Sequence, residues 1–422
     1  MHESVKGQRY FISLMAGLGW LFDSYVTSIW PLVLAALALT WHTTVAGLAY
    51  TATLFLVGYT LGTIGFGLLA DYLGRKGTLS ISILGYGVAT ALSGLAWSPL
   101  VFGITRFLTG LGGGGELPVG ATYVIESWPA KHRGYGFSLM YAFYPVGYLL
   151  AIAAAAVLKP IFGWRAVFFF AIIPALLIMW GRQKLQESPR FVAEQQRLQD
   201  RKQRPVTVVE VWNNPQSRRR SWLGFLLYIP MTYSYYGIWI FVPALLEKTW
   251  RMTYSEMLFW MSMFMVSYLV LSFIGGVLQD YIGRRVAGIA FILLGVLAGY
   301  IMFNTHNFTI FIVAGIIGWP AGVGMPWVVG VPYLNELFPT RYRATGYGMG
   351  VGVGRIVSIF APLITGALSS TLGFSWAFNI AMMGWVLAII AYVLGPETMG
   401  RELEDISPEV HAVTEEPVNV PL

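Results

Sequence analysis

The sequence predicts an all-α membrane protein with twelve transmembrane helices arranged as two six-helix halves. Its composition is the first sign. The chain has 422 residues, of which 56% are hydrophobic, 15% aromatic and only 11% charged, and its mean hydropathy is +0.63. Soluble domains carry roughly twice that share of charge, and a soluble chain this long would divide into domains whose surfaces so few charges could not cover. The second sign is that apolar stretches of spanning length recur twelve times, and the third is that two motifs return half a chain later.

A spanning helix needs about 20 apolar residues. The first six stretches are Tyr10 to Leu37, Gly47 to Leu69, Gly77 to Leu95, Leu100 to Ile125, Phe137 to Leu158 and Trp164 to Trp180. The second six are Trp222 to Leu246, Met257 to Val277, Val286 to Phe303, Phe308 to Tyr333, Tyr347 to Leu368 and Trp376 to Leu394. With both termini inside, 21 of the 27 Lys and Arg fall on one side, only Lys159, Arg165, Lys248 and Arg251 on the other, and Arg106 and Arg355 within spans. This positive-inside bias sets the orientation and places the chain in the cytoplasmic membrane with cytoplasmic termini. The net charge of +7 is therefore read as topology, not as a nucleic-acid surface.

The first apolar segment is too long for a cleavable signal and lacks a small-residue cleavage site, so it reads as the first span. Cysteine is absent, which excludes disulfides and thiolate chemistry. The expected organisation is an N-terminal bundle over 1–180, a basic cytoplasmic linker over 181–221, a C-terminal bundle over 222–394 and an acidic cytoplasmic tail over 395–422.

The repeat is specific. Gly67-Leu-Leu-Ala-Asp71-Tyr-Leu-Gly74-Arg75-Lys76 returns as Gly276-Val-Leu-Gln-Asp280-Tyr-Ile-Gly283-Arg284-Arg285, 209 residues on. Glu126-Ser-Trp-Pro129-Ala-Lys-His-Arg133 returns as Glu336-Leu-Phe-Pro339-Thr-Arg-Tyr-Arg343 at a displacement of 210. A duplicated six-helix unit is the arrangement expected of a transporter whose halves rock about a central site. Gly74 and Gly283 permit a tight reversal, Asp71 and Asp280 cap a helix end, and Arg75 and Arg284 pair with a nearby carboxylate. With Glu126, Arg133, Glu336 and Arg343 they form a candidate cytoplasmic gate, the plainer alternative being topogenic charge after a span.

Charges inside spans are costly and mark function. Asp23 lies ~20 Å from the inner face and Arg106 ~9 Å from the outer face of a ~30 Å core, so the two share a depth. Desolvation raises a carboxylate's proton affinity and a neighbouring guanidinium lowers it, so the pair is either a proton device or a static salt bridge. Glu116, ~24 Å from the outer face, is a second proton carrier or a packing carboxylate. Arg355, ~12 Å into the eleventh span with no acid on that span to answer it, suits an anionic substrate. Tyr233, Tyr235, Tyr236 and Trp239, with Trp327 and Tyr333, offer aromatic walls and hydroxyls around it.

The run Gly110-Leu-Gly-Gly-Gly-Gly115 sits in an apolar helix without the Lys-Ser/Thr ending of a phosphate loop, and reads as close helix packing. There is no metal-ligand cluster, nucleophile elbow or cofactor motif, so an enzyme is not expected.

On these motifs the chain resembles the major facilitator superfamily from the first span to the twelfth. Arg106-Phe-Leu-Thr-Gly-Leu-Gly-Gly-Gly-Gly-Glu-Leu-Pro118, Ser234-Tyr-Tyr-Gly-Ile-Trp239 and Asn335-Glu-Leu-Phe-Pro-Thr-Arg-Tyr-Arg-Ala-Thr-Gly346 are similar to the niacin-permease and synaptic-vesicle-protein-like branch. Ala121-Thr-Tyr-Val-Ile-Glu-Ser-Trp-Pro129 resembles the sialate:proton symporters, and Pro396-Glu-Thr-Met-Gly400 the closing motif of sugar porters. The resemblance implies that Asp23 and Arg106 match the Asp and Arg pair of proton-coupled sugar porters. It also implies that Arg355 stands where organic-anion transporters have an Arg. Tyr235-Tyr236 replaces the Gln-Gln of sugar porters, against a sugar substrate. The expectation is a monomeric proton symporter taking up a small organic anion, an aromatic or other monocarboxylate; a sugar or polyol porter and a drug-exporting antiporter are the alternatives.

Overall fold

The computed structural model describes residues 2–44, 46–200, 208–238 and 241–407, with no strand among the described residues. The N-terminal six spans are His2–Thr40, Ala49–Leu73, Arg75–Gly94, Pro99–Gly113 continued by Glu116–Ser127, Arg133–Tyr141 continued by Phe143–Phe162, and Trp164–Phe169 continued by Ile172–Arg182. The C-terminal six begin with Pro215–Tyr233 continued by Ser234–Ile238, followed by Tyr254–Ile282 and Arg284–Asn304. Phe308–Trp319, Pro320–Gly324 and Met325–Glu336 together form the tenth, Arg343–Leu372 the eleventh, and Phe374–Met383 with Trp385–Leu394 the twelfth. Eight of the twelve are long and apolar enough to cross a bilayer on composition alone. The first, third and fourth are richer in Ser, Thr, Gly and internal charge, and the seventh runs into Trp239 and Ile240, outside the described residues.

Local chemistry marks the helix ends. Ser98 accepts from the Val101 N–H with Pro99 in the first turn, Asn214 caps the helix that Pro215 opens, and Thr253 with Glu256 makes a reciprocal capping box. Gly74, at φ +90°, both ends the second span and starts the third, and Gly283, at φ +92° and ψ 156°, does the same between the eighth and ninth. That backbone region is essentially open to glycine alone.

Lipid supplies no hydrophobic drive between helices, so packing must come from close approach. The glycines of the fourth span provide it. A Cβ at Gly110 or Gly114 would collide with the carbonyl of Phe55 or Tyr59 on the second span, and one at Gly58 or Gly62 with that of Phe107 or Leu111. The two halves meet by the same device: a Cβ at Gly67 would stand 2.6 Å from the Ala344 carbonyl, and one at Gly134 2.6 Å from that of Gly276. The second span thus crosses the start of the eleventh, and the eighth crosses the start of the fifth.

Arg182 departs from the sequence reading. It falls within the basic linker expected over 181–221, yet it is fully buried at the end of the sixth span.

Replacing Gly283 by Ala is expected to cost about 1–3 kcal/mol, because its φ is positive and the new Cβ would meet the Glu397 carboxylate at 2.8 Å. Gly77→Ala, which meets nothing within 4 Å, is the control. Thermal unfolding of the detergent-solubilised proteins should show a lowered midpoint for the first variant only.

Candidate functional site

The repeated motifs gather at the basic end of the bundle into two networks that cross between the halves. In the first, Glu126 holds Arg75 by two bonds, Nη2 to Oε1 at 2.8 Å and Nε to Oε2 at 3.1 Å. The same carboxylate accepts from Arg343 of the opposite half at 2.9 Å and from the Ser188 hydroxyl at 2.6 Å. Arg75 also reaches Asp71 at 3.1 Å. In the second, Arg284 pairs with Asp280 at 2.6 Å and Glu336 at 3.3 Å, and Arg133 of the opposite half lies 3.8 Å from Glu336. All six motif Arg and Glu side chains are buried. Charges so placed demand mutual satisfaction, since removing one partner strands the other in low dielectric.

The helix ends that Asp71 and Asp280 cap belong to the opposite halves. Asp71 accepts from the Thr345 N–H at 2.8 Å and its hydroxyl at 2.7 Å, in the first turn of the eleventh span. Asp280 accepts from the N–H groups of Gly134 and Tyr135, at 3.0 and 2.8 Å, in the first turn of the fifth. Each carboxylate thus meets the positive end of a helix dipole across the interface.

The repeat also extends to a pair that sequence reading did not use. Glu187 accepts from the N–H groups of Arg75 and Lys76 at 2.9 and 3.1 Å. Glu397, 210 residues later, accepts from Arg284 and Arg285 at 2.9 and 3.0 Å. Burial alone would raise the Glu397 carboxyl, yet the N–H groups of Arg285, Arg284, Met399 and Thr398 hold it below the usual range. The shared Glu-Ser/Thr at one offset was the available signal.

Between the halves lies a cavity of about 30 Å³, lined by Trp20, Asp23, Thr27, Tyr59, Tyr141 and Tyr144 from the N-terminal half and Tyr235, Tyr236, Tyr268, Trp327 and Arg355 from the other. That volume holds roughly two waters. Two phenol pairs cross it, Tyr141 with Tyr268 at 2.8 Å and Tyr144 with Tyr235 at 3.0 Å. A third link runs through Tyr59, whose hydroxyl donates to Asp23 at 2.9 Å while the Arg355 guanidinium stacks 4.0 Å over its ring.

Five of the sequence-derived candidates meet here: Asp23, Tyr235, Tyr236, Trp327 and Arg355. Others do not. The expected contact between Asp23 and Arg106 is not among the described ion pairs, because the second span intercepts both: Tyr59 takes the carboxylate, and Phe55, one turn earlier, lies 4.6 Å beneath the Arg106 guanidinium. Arg106 donates instead to the Val26 carbonyl at 3.3 Å. Glu116 is gripped by Arg182 at 2.6 and 3.0 Å and accepts from Ser82 at 3.1 Å, outside the cavity wall. Tyr233 bonds Thr365 at 3.0 Å, and Tyr333 stacks on Tyr392 against Gly395, so neither lines the cavity. Trp239 lies outside the described residues. Sequence reading missed Tyr59, Trp20, Thr27, Tyr141, Tyr144 and Tyr268, since any one aromatic or threonine on an apolar span is indistinguishable from packing.

Among known proteins, the profile of the Major Facilitator Superfamily matches residues 11–233 and 224–415. The niacin transporter NiaP of Acinetobacter baylyi is 28% identical, covering 94% of this chain and 96% of the relative. The cis,cis-muconate transport protein of the same organism is 30% identical over 78% of this chain and 79% of its own length. A solved proton:xylose symporter, XylE bound to 6-bromo-6-deoxy-D-glucose, superposes with a TM-score of 0.80 at 19% identity, covering 95% of this chain and 98% of that one. It shares the fold.

Glu126→Gln is expected to weaken the closed basic end, since Arg75 and Arg343 lose the charge they share, a loss of about 3–5 kcal/mol for a buried pair. The chain has no cysteine, so Ser138→Cys, at the crossing with Gly276, supplies a single reporter thiol. Its maleimide labelling should accelerate at least about tenfold in the Glu126→Gln background.

Proposed function

The chain belongs to the major facilitator superfamily, a membrane transporter and not an enzyme, and we propose that it takes up a small organic anion, an aromatic or other monocarboxylate, by proton-coupled symport. The observation that carries this reading is Arg355 in a cavity wall with Asp23, joined to it through Tyr59. A buried guanidinium facing an aromatic cavity is a dock for a carboxylate. The relatives support the same class: niacin is an aromatic acid, and muconate an organic anion.

The geometry supports a coupling mechanism. Arg355 places a positive charge in the same cavity wall as Asp23. A substrate carboxylate on Arg355 cancels that charge, so Asp23 binds a proton more readily once the anion is in place. By linkage, a protonated Asp23 equally favours the anion. Arg106, at the same depth and short of partners, takes Asp23 when the pair reforms, and Glu116 with Arg182 steadies the neighbouring fourth and sixth spans.

The basic end is assigned to the cytoplasm by its excess of Lys and Arg. Units 1–180 and 222–394 rock about the cavity as a monomer, with 181–221 and 395–422 as linker and tail. The networks of Asp71, Arg75, Glu126 and Arg343, and of Asp280, Arg284, Glu336 and Arg133, then form the cytoplasmic gate, with Gly74 and Gly283 at its turns. With that gate shut, the cavity loads from outside.

Uptake of external labelled nicotinate, benzoate or xylose into proteoliposomes, with and without an inward proton gradient, tests the proposal. A carboxylate should accumulate only with the gradient, and Arg355→Ala should abolish the accumulation. The carboxylate KM should fall as external pH drops from about 8 to about 6 in the wild type and stay flat in Asp23→Asn. Accumulation of xylose alone, or of the acid by Asp23→Asn, would overturn it.

A further inference from the structure

Two of the residues that line the cavity each carry a buried N–H with no hydrogen-bond partner among the described residues: the Trp20 indole Nε1–H and the Arg355 Nε–H. Both residues are only 4% exposed and both line the cavity. They come from opposite halves, Trp20 on the first span and Arg355 on the eleventh. An unpaired buried donor is expensive and calls for an explanation, and a ligand in the cavity that both residues line would supply one.

The hydrogen-bonding inventory of the wall leans the same way. In each phenol pair, Tyr141 with Tyr268 and Tyr144 with Tyr235, one hydroxyl donates to the other, and the acceptor's own proton is left over. Tyr59 spends its proton on Asp23. What remains includes four donors, the two N–H groups and one O–H from each pair, beside the acceptor oxygens of Asp23 and the hydroxyls of Thr27 and Tyr236. An unsubstituted aromatic acid has acceptors at its carboxylate alone and satisfies only the Arg355 end. Trp20 lies over Tyr144 at a centroid distance of 4.8 Å, within an aromatic wall that takes a flat ring.

Resting on the anion reading above, we propose that the substrate is an aromatic carboxylate carrying a second hydrogen-bond acceptor in or on its ring, and that the Trp20 N–H reads that acceptor while Arg355 holds the carboxylate. Such a ligand spans the two halves, so its two acceptors cross-link them in the occluded state. An analogue of identical shape without the second acceptor leaves the Trp20 donor stranded, and a site built to hydrogen-bond rejects such an analogue.

Pyridine-3-carboxylate and benzoate have nearly the same shape and differ in that acceptor. Gradient-driven uptake of each, resolved into KM and maximal rate, is compared in the wild type and in Trp20→Phe, which keeps an aromatic wall and removes the N–H. The wild type should favour the pyridine acid by at least about tenfold in KM, and Trp20→Phe should bring the two KM values together. Equal KM values in the wild type overturn the proposal whatever the variant does. A preference that survives in Trp20→Phe, or a loss of both acids in equal proportion, overturns the assignment to Trp20 and makes it a packing residue. If neither acid moves while xylose does, the anion reading itself fails, an outcome that the benzoate arm separates from the others.

Discussion

Every buried charge in a lipid-embedded protein has to be answered inside the protein, and at the basic end of this molecule the answer is a carboxylate shared between halves. Glu126 binds Arg75 of its own bundle and Arg343 of the other. Because that carboxylate is buried, its two guanidinium groups cannot part without one of them losing its counter-charge. Helix packing then follows the same line. Gly67 and Gly134 bring the second and eighth spans against helix starts of the opposite bundle, where Asp71 and Asp280 meet unpaired N–H groups.

The two networks are not equal. Around Glu126 the contacts are 2.6 to 3.1 Å, whereas Glu336 lies 3.3 and 3.8 Å from its guanidinium partners, and its second oxygen has no partner among the described residues. Arg133 divides its attention, donating to the Arg401 carbonyl at 2.8 Å and to Glu402 at 3.3 Å. The duplicated unit thus keeps the residues while the two interfaces diverge in strength. The looser one is where the tail after the twelfth span enters the contact.

Around the cavity, the second span does what no single motif announced. Phe55, Tyr59 and the glycines between them and the fourth span place an aromatic face beneath Arg106, a hydroxyl on Asp23 and a ring under Arg355. The close approach at Gly58, Gly62, Gly110 and Gly114 brings Tyr59 near enough to the first span for this. The contacts of these intramembrane charges and the helix packing are therefore set by the same few turns.

The twelve spans, the duplication and the repeated charged motifs were all legible in the sequence, because apolar length, offset and residue type are properties of the chain taken in order. So were Asp23 and Arg355 as intramembrane charges, since lipid makes any ionisable group conspicuous. Partnership was another matter. Depth along a helix is readable at ~1.5 Å per residue, but the azimuth that decides which neighbour a side chain meets is set by helices distant in sequence. Depth matched Asp23 with Arg106, and only the packing of the second span showed Tyr59 and Phe55 standing in that contact. In the same way Arg182 looked like one more basic linker residue until the sixth span carried it inward to Glu116, and Trp20 looked like core until the halves closed a cavity around it.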